Sequence, residues 1–456
     1  MGFRSPPLLL LLFVTPALVA EAPTSAPAAA CLTNGQVEDI LQVDGFEYLA
    51  GRFTKVRPPG ASPGDPAEVD RLWFAACDAA TGAVAAWDPQ VFCDGTLYNC
   101  ANARGQTLAL AADRASIYLG GKFRAVRGVA RKHAARVTLA GATLLPWAPE
   151  ANDRVQRIAV APDGGRVYVA GNFTSIGGCA PAPCHAYLAA TDPASGALLP
   201  GFDPQISTAD ASFVTVLALA FSAGGGTLYF GGQFDTVGAL ARSSIAAVDA
   251  ATGQSVTAFA PRLSDPNPED PYVQVHDIRS DGHWIYLCGD WWITGDLGGQ
   301  QDQRNVNRFD PSTGDVDPGF WIATDGGVQA CDLDLDLGLL FVGGHFDCVR
   351  EYQDGLPVDP DAAQCGTDPL FHGTVQHDLF ALALADGSLS AWNPDTGGLA
   401  GTWAVRVAGG RLAIGGELVW PRLGPPTHVD LLSFDVPLFA DGFESGDRTR
   451  WSSFTP

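Results

Sequence analysis

The hexapeptide Tyr168–Phe173, Y-V-A-G-N-F, returns in altered form along almost the whole chain. Y-L-A-G-R-F begins at Tyr48, Y-L-G-G-K-F at Tyr118, Y-F-G-G-Q-F at Tyr229, Y-L-C-G-D-W at Tyr286 and F-V-G-G-H-F at Phe341. A worn copy, L-A-I-G-G-E-L, runs from Leu412 to Leu418. Self-similarity at a spacing of about 50–70 residues means a repeat architecture, in which neighbouring units share one continuous core.

The third copy shows the plan of a unit. Val155–Ala161 reads V-Q-R-I-A-V-A, Pro162–Gly165 turns, and Arg166–Phe173 runs back. Tyr187–Asp192 is a third short run, Ala194–Gly196 a turn, and Ala197–Pro204 a fourth run. Short apolar or alternating runs broken by D-G, T-G and S-G turns read as antiparallel strands, here called A to D. Strand D ends on an aromatic, with a proline two residues on at Trp87, Trp147, Phe202, Phe259 and Trp392. Four strands per unit and seven A–B hairpins predict an all-β fold, a seven-bladed β-propeller over residues 36–436. Unit seven lacks a clear strand D; either Cys31–Gln36 or Val436–Phe443 is a candidate to supply it.

Residues 1–20 read as a signal peptide, a charged start followed by an apolar run from Leu8, and residues 21–35 as an Ala/Pro-rich linker. No later apolar run is long enough to span a membrane as a helix. A secretory leader makes disulfides the default for the ten cysteines. Three local pairs fall inside long loops: Cys93–Cys100, Cys179–Cys184 and Cys348–Cys365. Topology suggests Cys288–Cys331 and Cys31–Cys77 for the remaining four.

The paired glycines could suggest a phosphate loop, but such a loop opens a helix and no segment has a helical period. They are expected where another backbone or ring comes close, with the following Phe123, Phe173, Phe234 or Phe346 packed between blades. The connections are one-sided. A–B and C–D turns are tight, whereas every long connection is B–C or D–A, so one face of the disc is elaborated. Insertions gathered on one face of a repeat protein point to its binding face.

A formal charge of −23 disfavours nucleic acid and anionic membranes and suits cations, cationic ligands or solubility. Asp332, Asp334 and Asp336 alternate with leucines in strand A of unit six, which places all three on one side, toward the channel, as a cation or polar-ligand site. Asp265, Glu269 and Asp270 cluster in one loop of the elaborated face, and His372 and His377 lie beside another. Such carboxylate loops have the donor chemistry for calcium, without EF-hand spacing. No H-E-x-x-H, G-x-S-x-G or Walker A string occurs, and no catalytic residue is assigned.

The pattern Y-[VLF]-G-G-x-F, then a strand such as I-A-A-V-D, then T-G, then F-x-P, resembles the delta-sixty type of secreted bacterial propeller repeat. The resemblance implies the fold and no catalytic residues. The last segment, 437–456, contains D-G-F-E-S-G-D with Trp451, which resembles a signature ending many secreted bacterial proteins and implies either a sorting tag or a tail docked on the ring. The expected function is that of a secreted or cell-surface monomer, a non-enzymatic binding or scaffold propeller. Its partner would be an extracellular protein or glycan on the elaborated face. The alternative is an extracellular hydrolase or lyase using loop carboxylates as acid and base. Non-reducing peptide mapping should recover Cys93–Cys100, Cys179–Cys184 and Cys348–Cys365; free thiols at those six positions would contradict the oxidised loops.

Overall fold

The computed structural model describes residues 23, 28–93, 102–179, 184–208, 213–264, 273–291, 293–294, 305–353, 356–357, 364–365, 372–394, 397–420 and 427–435. The described residues hold strands and turns and no helix, so no helix is long and apolar enough to cross a membrane. Seven antiparallel units of strands A, B and C recur in chain order. Unit 1 is Val37–Val43, Phe46–Gly51 and Phe74–Asp78, and unit 2 is Arg104–Leu110, Ser116–Lys122 and Ala134–Thr138. Units 3 and 4 begin at Val155–Val160 and Thr215–Phe221, and units 5 and 6 at Gln274–Ser280 and Val328–Asp334. Unit 7 is Gly397–Ala408, Arg411–Trp420 and Thr427–Asp435. Each strand A lies against strand A of the next unit, and that of unit 7 lies against that of unit 1. This is a β-propeller.

The fourth strand is not a ladder in most units. It touches strand C through a single bridge, Cys77–Val84, Val137–Leu144, Thr191–Leu198, Val248–Ser255 or Leu382–Leu389. Among the described residues, only in unit 5 does a longer strand, Val316–Thr324, pair with strand C. The aromatic-x-proline ending explains the shortness. Proline has no N–H to donate, and the aromatic turns onto the tyrosine or phenylalanine of its own strand B. Edge-on pairs with centroids 4.8–5.7 Å apart recur as Tyr48–Trp87, Tyr118–Trp147, Tyr168–Phe202, Tyr229–Phe259, Tyr286–Phe320 and Phe341–Trp392. The tyrosine hydroxyls then reach the next unit: Tyr118 donates to Pro193 O and Tyr229 to Pro311 O.

The two glycines of the repeat have different neighbours. A Cβ on the first would strike the next unit: Val275 Cγ1 at 2.4 Å from Gly231, Thr402 Cγ2 at 2.3 Å from Gly343, and Val37 Cγ1 at 2.6 Å from Gly415. A Cβ on the second would strike the carbonyl at the start of its own strand A, at 2.1–2.3 Å in every unit from Gly51 to Gly416. The same glycine donates its N–H to a residue with left-handed φ just before strand C, such as His133 or Ser244. Phe123, Phe173, Phe234 and Phe346 are buried in clusters that join adjacent units.

The elaborated face is itself a set of small sheets. The segment entering a unit pairs with that unit's B–C excursion: Leu32–Thr33 with Lys55–Arg57, Val91–Phe92 with Ala125–Val126, Ile206–Ser207 with Thr236–Val237, and Leu263–Ser264 with Ile293–Thr294. In unit 6 the long Val316–Thr324 strand pairs with Cys348–Gln353. The long connections therefore satisfy one another's backbone. Residues 28–35 belong to this layer, with Cys31 fully buried in the cluster at the seam between units 7 and 1 and Leu32 packed on the cluster of Trp392 and Phe434 that units 6 and 7 share. Residues 1–20, expected above to be a signal peptide, and residues 436–456, including the alternative edge Val436–Phe443, lie outside the described residues.

Substituting Gly232→Ala sets a methyl against Thr215 O and should cost about 1–3 kcal/mol or more. Gly226→Ala, where a Cβ meets nothing within 4 Å, should leave the midpoint of urea unfolding unchanged. Equal midpoints for the two variants would refute the backbone contact as the reason for the repeated glycine.

Candidate functional site

Every strand A carries a register shift at the same place, between Val37 and Asp39, Gly105 and Thr107, Val155 and Arg157, Val216 and Ala218, Val275 and Asp277, Val328 and Ala330, and Thr402 and Ala404. A bulge leaves one extra residue out of the ladder and re-aims its side chain. The extra residues are Glu38, Gln106, Gln156, Leu217, His276, Gln329 and Trp403, and all seven line one cavity of about 220 Å³ on the ring axis. Arg104, Arg154, Thr215 and Gln274, from the starts of the A strands, form a layer above them, joined by Arg52 and Phe213. The A strands start where the D–A connections arrive, so the cup opens on the elaborated face.

Below the cup the channel is filled with charge. Asp39, Arg157 and Asp277 sit at one level, and Arg279, Asp332 and Arg406 two residues further along their strands. Arg279 joins Asp277 and Asp332, at 2.8 Å each, and Arg406 donates to Asp39 at 2.7 Å. Arg157 lies 3.9 Å from Asp39 and 3.8 Å from Asp277. The carboxylates also reach backbone of the following unit: Asp39 accepts from Leu108 N at 2.9 Å, Asp277 from Cys331 N at 3.3 Å and Asp332 from Val407 N at 2.8 Å. Arg157 donates to Leu217 O at 3.1 Å. Three cations meet three anions, so the plug is neutral and ties units together.

Burial works against the charge on Asp277, but Arg279, Arg157 and Arg406 outweigh it and hold the carboxyl below its usual range. Burial likewise opposes Arg406, and Asp39, Asp277 and Asp332 more than compensate, raising its pKa. Burial, aided by the charge of His345, pushes His276 down to about 4, so the imidazole stands neutral in the cup wall at pH 7.

The expected acidic stripe is dispersed. Strand A of unit 6 ends at Asp334, whose Oδ1 accepts from the N–H groups of Asp336 and Leu337 in an Asx turn, so Asp336 lies in the hairpin rather than on the channel wall. Asp332 and Asp334 lie on the same side of the strand, and Arg279 occupies Asp332. His377 Nδ1 lies 2.9 Å from Asp347 Oδ1, and the backbone of exposed His372 accepts from Arg350 at 2.6 Å. Asp265, Glu269 and Asp270 lie outside the described residues. Among the described residues no three His, Cys, Asp or Glu side chains converge as a metal site. Disulfides join Cys31–Cys77, Cys179–Cys184, Cys288–Cys331 and Cys348–Cys365; Cys93 is also disulfide-bonded, and Cys100 lies outside the described residues. The cup itself escapes sequence reading, since its lining residues come from seven strands and share only a place at the bulge of each strand A.

An all-β propeller with a floored axial cup is thus the class the chain defines. In overall structure it is similar to the WD40 β-propeller domain of Doa1, at 13% identity over 94% of this chain and 99% of that one with a TM-score of 0.47. It is also similar to the computationally designed protein Ika8, at 10% identity over 90% and 99% with a TM-score of 0.46. No protein-family model and no curated protein matches the chain.

Replacing Asp277 by Asn leaves Arg157, Arg279 and Arg406 under-neutralised in the channel and should cost about 3–5 kcal/mol. Asp336→Asn, in the exposed turn, should change stability by less than about 0.5 kcal/mol. Chemical denaturation of both variants measures the contrast.

Proposed function

We propose that this is a secreted, monomeric, non-enzymatic binding or scaffold propeller, a closed ring of seven four-stranded blades. It meets an extracellular protein or glycan through the face that carries the B–C and D–A connections. The observation that carries this reading is the axial cup opening on the elaborated face above a neutral, self-satisfied floor: a receptacle rather than a pore. Ring closure is supported by strand A of unit 7 lying against that of unit 1, with Val37 seated over Gly415. Export is supported by the disulfides, which persist in oxidising compartments. A binding role is favoured over acid–base hydrolysis because, among the described residues, the cup has one carboxylate, Glu38, held by Arg52 and by Arg104 at 3.1 Å.

Incubation of the purified protein with a panel of extracellular polysaccharides and peptides should give retention without turnover. Turnover abolished by Glu38→Gln would replace the binding reading with the hydrolase or lyase alternative.

A further inference from the structure

Resting on the binding reading, we propose that the axial cup takes a small hydroxylated carboxylate, a sugar acid in chemical class, with Arg154 as its charge partner. The sign of the cup is opposite to that of the molecule. Against a chain charge of −23, its mouth gathers Arg52, Arg104 and Arg154 around one carboxylate among the described residues, Glu38. Glu38 is shared by Arg52 and Arg104. Arg154 has no carboxylate within ion-pair distance among the described residues and is held by a neutral oxygen, donating from Nε to Asn172 Oδ1 at 3.3 Å. Burial and the nearby charge of Arg104 both lower its pKa. A guanidinium so placed gains from an incoming anion, and its planar fork matches a carboxylate.

A bare oxyanion would leave the rest of the cup unsatisfied. Gln329 Oε1 and Thr215 Oγ1 have no protein partner, although their residues are only 7% and 1% exposed. The Gln329 oxygen accepts and cannot donate, so its partner must bring a hydroxyl or N–H. An acceptor-only anion such as sulfate satisfies Arg154 and not Gln329. A ligand with one carboxylate and several hydroxyls satisfies both, and Trp403 and Phe213 add an apolar wall for its carbon skeleton. The cavity of about 220 Å³ is below the ~300–1,000 Å³ of common small-molecule sites, which limits the occupant to roughly a monosaccharide.

Titration calorimetry on the full chain should show D-glucuronate or D-galacturonate binding at least tenfold more tightly than D-glucose, D-galactose and inorganic phosphate. Arg154→Gln should remove that tenfold advantage, Arg154→Lys should restore part of it, and Gln329→Leu should weaken the uronate while leaving phosphate unchanged. Thermal melting of each variant verifies the fold. Neutral sugars or phosphate binding as tightly as the uronates, or an unchanged uronate affinity in folded Arg154→Gln, would overturn the assignment. If no small probe binds while the protein retains an intact glycan or protein, this ligand class fails and the binding reading stands. Turnover of a uronide overturns the binding reading.

Discussion

The structure depends on one junction: the seam where strand A of unit 7 meets strand A of unit 1. Each internal interface is helped by short connections along the chain, whereas this one joins residues 367 apart, Asp39 and Arg406. It nevertheless uses the same parts as the others. Val37 sits over Gly415 as Val275 sits over Gly231, and Ala404 and Ala413 share a core cluster with Val37, Leu49 and Phe53. The Cys31–Cys77 disulfide and the Leu32–Thr33 strand hold the incoming chain beside this seam. A propeller that failed to close here would expose two blade faces, one of them lined by Val37, Ile40 and Phe53.

Much of this was legible in the residues because the repeat motif encodes contacts made locally or with the next unit. Paired glycines, the phenylalanine that follows them and the aromatic-x-proline each serve an interface that recurs, so they recur too. The charge network was not legible. Asp332 looked like part of an acidic stripe because alternation was extended through Asp336, whereas the Asx turn at Asp334 ends the strand first. Its real partners, Arg279 and Val407, come from other units, and no local pattern announces a pairing set by the radius of the ring. The elaborated face was foreseen as long connections, but their pairing into small sheets needed the register of each entering segment against the following unit.

Net charge proved a poor guide to the axis. The acidic excess lies largely in turns and surface loops, where Asp78, Asp192, Asp249 and Asp310 cap the C–D turns through Thr or Ser, whose hydroxyl and backbone hydrogen bonds hold their carboxyls below the usual range. Toward the axis the molecule is neutral in the plug and positive in the cup. A basic well in an acidic molecule draws an approaching anion only at short range, since ions screen surface charge over about 10 Å at 0.1 M salt. Selection at such a site rests on fit and desolvation more than on long-range attraction.

The distance in sequence across the seam sets an order of events during synthesis. Units 1 to 6 can stack as they emerge, each against its predecessor, but Asp39 must wait for Arg406 and Val37 for Gly415. Until then the open face of unit 1 is an apolar edge with no partner of its own, the kind of surface that recruits another chain. Late closure also makes the barrier to folding largely one of loop entropy, which long-range pairings must meet before their contacts repay it. The N-terminal strand that lies beside the seam, anchored by its disulfide to the first unit, covers part of that edge while the chain is still incomplete.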